Sequence, residues 1–151
     1  MIGWMAMRLP RWTFLAGALL ASLAVAAEPD PSSLYRLTTE GTSARVGPGK
    51  KGVFVLEIQS LKGAHVSDEA PLKLQLSGTG AVAPEKTQLT YADSTRKSSA
   101  AVKYPDPRFE VPLAAQGKGP GTVEAKLTFF ICTAEACLRQ QKTLSVPVTV
   151  E

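Results

Sequence analysis

Apolar and polar residues alternate over most of the chain beyond its first fifty positions. Between residues 122 and 132, Val123, Ala125, Leu127, Phe129 and Ile131 fall on one side, and Glu124, Lys126, Thr128, Phe130 and Cys132 on the other. A period of two marks a strand with one face on a core. Residues 143–151 repeat it, with Leu144, Val146, Val148 and Val150 inward and Thr143, Ser145, Pro147 and Thr149 outward. Phe54, Leu56 and Ile58 oppose Glu57, and Leu72, Leu74 and Leu76 oppose Lys73 and Gln75. Phe109, Val111 and Leu113 oppose Glu110 and Pro112, and a proline within the run suggests an edge position. Shorter strands are expected around Leu34–Leu37, His65–Val66 and Thr87–Tyr91. Val102 and Tyr104 begin another that Pro105-Asp106-Pro107 stops.

Between these runs lie breakers. Gly47 to Gly52 and Gln116 to Gly121 read as turns, Ser77 to Glu85 as a loop with two glycines and a proline, and Ala92 to Ser99 as a polar loop. After residue 27 no segment holds a helical period, and no internal repeat is visible. Strands at this spacing predict an all-β fold, an immunoglobulin-like β-sandwich of about seven to nine strands. It departs from an ordinary immunoglobulin domain. The two cysteines are five positions apart and cannot bridge distant strands of opposite sheets, and both tryptophans lie near the N-terminus.

That N-terminus is read as a separate element. Arg8 and Arg11 precede Trp12–Ala27, an uncharged stretch of 16 residues closed by Ala24-Val25-Ala26-Ala27. It is shorter than the ~20 residues of a membrane-spanning helix and ends in a small-residue cleavage pattern. We expect residues 1–26 to be a cleaved Sec-type signal peptide without a lipid-attachment cysteine, residues 27–52 an N-terminal segment with an edge strand, and residues 53–151 the sandwich. The expected location is periplasmic or secreted, with no membrane insertion of the mature chain. There a disulfide can persist, and two cysteines fit one bridge.

The chain carries 17 basic and 13 acidic residues; without Arg8 and Arg11 the remainder is 15 against 13, a net charge of +2. So small and scattered an excess argues against a nucleic-acid partner. No Ser-His-Asp set or phosphate-binding glycine loop can be assembled, and nothing points to a bound cofactor.

The candidate chemistry therefore rests on Cys132-Thr133-Ala134-Glu135-Ala136-Cys137, where two strands meet. Alternation predicts that Cys132 and Phe130 share an exposed face. As a staple, a bridge closing about six residues removes roughly 2 kcal/mol of chain entropy, against ~4.7 for a hundred-residue loop. That small return tilts the reading toward redox chemistry, with an inert hairpin staple as the alternative. A zinc site would need His65, the only histidine, and a carboxylate besides the two thiols, and nothing else clusters. We expect no metal, and a hydrogen-bonded strand-end role for His65.

The tract from Phe130 to Leu138, followed by a valine-rich last strand, resembles the N-terminal periplasmic domain of the thiol–disulfide interchange protein DsbD and its stand-alone relatives. Lys62-Gly63-Ala64-His65-Val66 with Pro71 resembles that family's glycine–aromatic–histidine–apolar segment. The resemblance spans about Val53 to Glu151. It implies a reversible disulfide, with Cys132 and Cys137 sharing the nucleophilic and resolving roles. Phe130, His65 and Glu135 would line the site. The implied partner is a thioredoxin-like redox protein, periplasmic or membrane-tethered. Arg139 and Lys142 would favour a thiolate and Glu135 would oppose it. The chain departs from the family pattern in three places. Arg139-Gln140-Gln141 replaces the prolines after the second cysteine, Ala64 replaces an aromatic, and the nearest cap-loop candidate, Asp93 to Lys97, has no aromatic.

Overall fold

A computed structural model of the protein describes residues 30–61 and 63–151. The expected signal segment, residues 1–26, lies outside the described residues, as does Lys62. The strands, in chain order, are β1 (Tyr35–Thr38), β2 (Arg45–Val46), β3 (Gly52–Ser60), β4 (His65–Val66), β5 (Lys73–Gly80), β6 (Val82–Pro84), β7 (Gln88–Leu89), β8 (Arg108–Ala115), β9 (Gly119–Cys132) and β10 (Cys137–Val150). Short 3-10 turns cover Pro31–Leu34 and Tyr91–Asp93.

The strands form two sheets. One runs β1-β3-β8-β6; the other runs β2-β10-β9-β5-β7, with β4 also paired to β9. Among the described residues only β2 and β10 pair in parallel. The fold is the all-β sandwich that the alternation predicts, and its inner faces are the apolar sides read from the sequence. Phe54, Leu56, Ile58, Phe109 and Leu113 from the smaller sheet are fully buried, as are Leu74, Val123, Ala125, Phe129 and Ile131 from the larger. Burying a side chain of this size stabilises the fold by ~1.5–3 kcal/mol. Tyr35 closes the β1 side, its ring edge-on to Phe129 at 4.9 Å and its hydroxyl 3.0 Å from Gln140 Oε1.

Several expectations are corrected. Residues 77–85 are not a loop but two strands meeting at a corner, where the chain leaves the larger sheet in β5 and enters the smaller one in β6. Gly80 makes the corner possible. Its φ is +69°, and a Cβ there would run into the Pro120 carbonyl. β8 is not an edge strand. Pro112 is tolerated because its free side faces the end of β6, where its carbonyl accepts the Glu85 N–H at 2.9 Å. Val102 and Tyr104 form no strand. Val146 and Leu144 point inward but are only partly buried against the core.

Glu57 also departs from expectation. It faces away from the core, yet it is only 7% exposed. Arg96 Nη1 reaches its Oε1 at 2.7 Å and Arg108 Nη1 its Oε2 at 3.0 Å. Burial opposes ionisation here, but the hydrogen bonds from Arg96 and then Arg108 outweigh it and hold the carboxyl below its ordinary value. The Arg96 contact pins the segment between β7 and β8 onto β3, beside Arg108 at the start of β8. Ser60 N–H donates to Asp106 Oδ1 at 3.0 Å and Ile58 N–H to the Pro107 carbonyl at 3.0 Å, which fixes the far end of the same segment.

Candidate functional site

β9 and β10 run in register down to the hairpin tip, where Cys132 and Cys137 stand directly opposite each other. Thr133 N–H donates to the Ala136 carbonyl at 2.9 Å. The cysteines thus occupy the neighbouring, non-hydrogen-bonded pair, where Cα atoms approach most closely. Their Cα–Cα distance is 4.0 Å and they form a disulfide. Both cysteines are in that bridge, so neither is free to ligate a metal as a thiolate. Among the described residues no group of three or more His, Cys, Asp or Glu side chains comes together.

The two sulfur-bearing residues differ sharply in access. Cys132 is 2% exposed, while Cys137 is exposed. The expectation that Cys132 sits on an exposed face is therefore corrected. Alternation sets it opposite the core side as predicted, but a neighbouring strand flanks it. β4 lies against β9 with His65 directly across from Cys132 and Val66 across from Ile131, and Ser67 N–H donates to the Phe130 carbonyl at 2.9 Å. A two-residue strand with one apolar position gives almost no period to read, so its role as a flank was hidden in the sequence.

His65 is not simply a hydrogen-bonded strand end. Its ring stacks on Tyr104, with centroids 4.0 Å apart and planes inclined by 18°. Lys103 Nζ lies 4.9 Å from the centre of the Tyr104 ring. Tyr104 belongs to the pinned segment between Asp93 and Arg108, so a loop carrying an aromatic does reach the cysteine end of the sheet. The aromatic sits beyond the Asp93–Lys97 stretch in which the sequence offered none. Its only sequence signal was a tyrosine before Pro105-Asp106-Pro107, which reads equally well as an interrupted strand.

Phe130 is half-buried on the same sheet face as Cys132, with Arg139 opposite it on β10. Glu135 is exposed at the turn, where its Oε2 accepts from the Thr133 hydroxyl at 3.0 Å. The structure therefore gathers Phe130, Cys132, Cys137 and His65 at one end of the larger sheet and adds Tyr104. Lys142 points to the inner side of β10, in register with Leu127, away from the face that carries Phe130 and Cys132.

Fold and site together define a two-sheet β-sandwich whose one disulfide, among the described residues, closes the tip of its longest hairpin. No family model matches the chain, and no curated protein does. Among solved structures it is similar to native alpha-2-macroglobulin from Escherichia coli, in a crystal structure spanning domain MG7 to the C-terminus. The identity is 15% and the TM-score 0.45, over 78% of this chain and 16% of that one. Among the described residues no helix is long and apolar enough to cross a membrane.

Proposed function

We propose that the chain is an exported thiol–disulfide interchange module of the DsbD N-terminal type, working through the Cys132–Cys137 bridge with a thioredoxin-like partner. The observation that carries this reading is the unequal access of the two cysteines, one exposed and one 2% exposed, beside the stacked His65 and Tyr104. An inert staple has no need of one exposed cysteine. An exchange couple needs one, because an incoming thiolate must approach a sulfur along the S–S axis. Export is supported by the Arg8 and Arg11 flank and the Ala24-Val25-Ala26 cleavage pattern.

The open residue sets the roles. A thiolate of a reduced partner attacks Cys137 Sγ; a bond forms between them as the Cys137–Cys132 bond breaks, and the electron pair leaves on Cys132 Sγ. The departing Cys132 thiolate takes up a proton from solvent, beside His65 in the neighbouring strand. The partner's second thiol, losing its proton, then attacks the partner sulfur of the mixed disulfide and releases Cys137. Two electrons have passed to this chain, and the partner is oxidised. In the reverse direction Cys137 is the nucleophile and Cys132 the resolving residue.

Trapping tests this. A thioredoxin-like domain lacking its second cysteine, mixed with the oxidised protein, should accumulate a mixed disulfide on a non-reducing gel, and peptide mapping should place it on Cys137. No mixed disulfide with a panel of such domains would leave the bridge as an inert hairpin staple.

A further inference from the structure

Among the described residues, the ladder of β10 has one edge that is open over most of its length. Thr149 N–H donates outward to the Ala44 carbonyl at 3.0 Å and Glu151 N–H to the Val46 carbonyl at 2.9 Å. Backbone groups of a strand alternate in direction, so the N–H and C=O of Cys137, Arg139, Gln141, Thr143 and Ser145 point the same way, away from β9. Among the described residues β2 is the strand on that side, and it covers only Thr149 and Val150. Pro147, which has no N–H, marks where β2 takes over. A side-chain amide, Gln140 Nε2, occupies the Arg139 carbonyl at 2.8 Å. The other groups form a straight row ending at the exposed Cys137.

The side chains beside this row are of two kinds. On the inner lip stand Leu138, 38% exposed, and the partly buried Leu144 and Val146. The charges are Arg139 and Lys142, and β10 contains no acidic residue from Cys137 to Val150. Acidic groups lie beyond both its ends, Glu135 before it and Glu151, paired with Arg45, after it, and Asp30 lies near Lys142. Glu135 bonds Thr133 at the turn. Asp30 has its carboxyl lowered chiefly by the Ser32 N–H, and only weakly by Lys142.

We infer that the open edge of β10, from Cys137 to Ser145, is a docking edge for an extended, acidic segment of a partner polypeptide, which adds to the larger sheet as a further strand. Charge decides the occupant. A second copy pairing through β10 would set cationic strands side by side with no acidic side chain in either to offset them, a standard device against self-pairing. A segment alternating acidic and apolar residues sets its acidic side against Arg139 on the outer face and its apolar side against Leu144, Val146 and the aliphatic stem of Lys142 on the inner one. The inference does not depend on the bridge being redox-active, and it is tested with the bridge intact.

The probe is a synthetic peptide alternating glutamate with valine, compared with one alternating lysine with valine. The readout is amide hydrogen exchange by NMR on the whole protein. The glutamate peptide should protect the amides of Arg139, Gln141, Thr143 and Ser145, and leave those of Gln140 and Lys142, which already face β9, unchanged. Thr143→Pro removes one outward donor at a position equivalent to Pro147, so the β9 ladder survives; it should weaken binding about tenfold or more. The variant Arg139→Glu should exchange preference from the glutamate peptide to the lysine one, and it decides the matter if Thr143→Pro does not fold. Three results would overturn the inference: no protection by the glutamate peptide, equal protection by the lysine peptide, or concentration-dependent protection of the same amides without peptide, which would assign the edge to a second copy.

Discussion

At the scale of single residues, the bridge is asymmetric because its two ends have different neighbours. Cys132 is flanked by β4, whereas Cys137 begins the strand whose far side is open. This difference has a direct chemical consequence, since a thiol reacts only as fast as its thiolate can be reached. With Cys132→Ser, the lone Cys137 should be alkylated by iodoacetamide at close to the rate of an unfolded peptide thiol. With Cys137→Ser, the lone Cys132 should react at least about tenfold more slowly. Equal rates, measured by mass spectrometry under native conditions, would remove the basis for assigning Cys137 as the attacked sulfur.

At the scale of elements, the segment between β7 and β8 is held like a strap. Arg96 clamps it to Glu57, which also pairs with Arg108 at the start of β8, Ser94 Oγ accepts the Arg108 N–H at 3.1 Å, and Asp106 takes the Ser60 N–H. Tyr104 is carried on the far part of that strap. Because the carboxyl of Glu57 is held below its ordinary value in the folded state, its contribution is present above the ordinary glutamate range near 4.5 and is lost as pH falls through the lower folded value. Glu57→Gln should therefore cost about 1–2 kcal/mol at neutral pH, the range for breaking a charge-assisted buried contact. The difference from the native chain should shrink as the pH is lowered below about 4. Urea titrations at several pH values measure both, and a difference that does not change with pH would show that the clamp is not ionic.

The same element shows what a linear pattern can and cannot carry. β3, β8, β9 and β10 were legible because each has at least three apolar residues at a period of two, and their inner faces came out in the right register. β6 was hidden behind glycines that serve a corner between sheets rather than a turn. Alternation put Glu57 on the face away from the core but could not show its burial, because its cover comes from arginines about forty and fifty positions away. The cysteine hairpin was legible from spacing alone; its flank and its aromatic neighbour were not, since both come from segments too short or too irregular to have a period. The partial exposure of Val146 was equally invisible.

At the scale of the whole molecule, stability resides in the core between the sheets. Phe129, fully buried and in edge contact with Tyr35, should cost about 3–5 kcal/mol when changed to alanine. Replacing both cysteines by serine should cost about 2 kcal/mol or less, because the closed loop is short. Denaturant unfolding of the two variants side by side checks this order, and a bridge worth more than Phe129 would mark it as a structural staple. A bridge that contributes little to folding is free to open and close in the native protein, and this property can be read directly. The decisive measurement is the reduction potential of Cys132–Cys137 in the folded protein, equilibrated against a thioredoxin-type dithiol and monitored by alkylation. An interchange module should reach equilibrium under native conditions at a potential above about −300 mV. A lower potential, or a bridge that resists reduction until the sandwich unfolds, would contradict it.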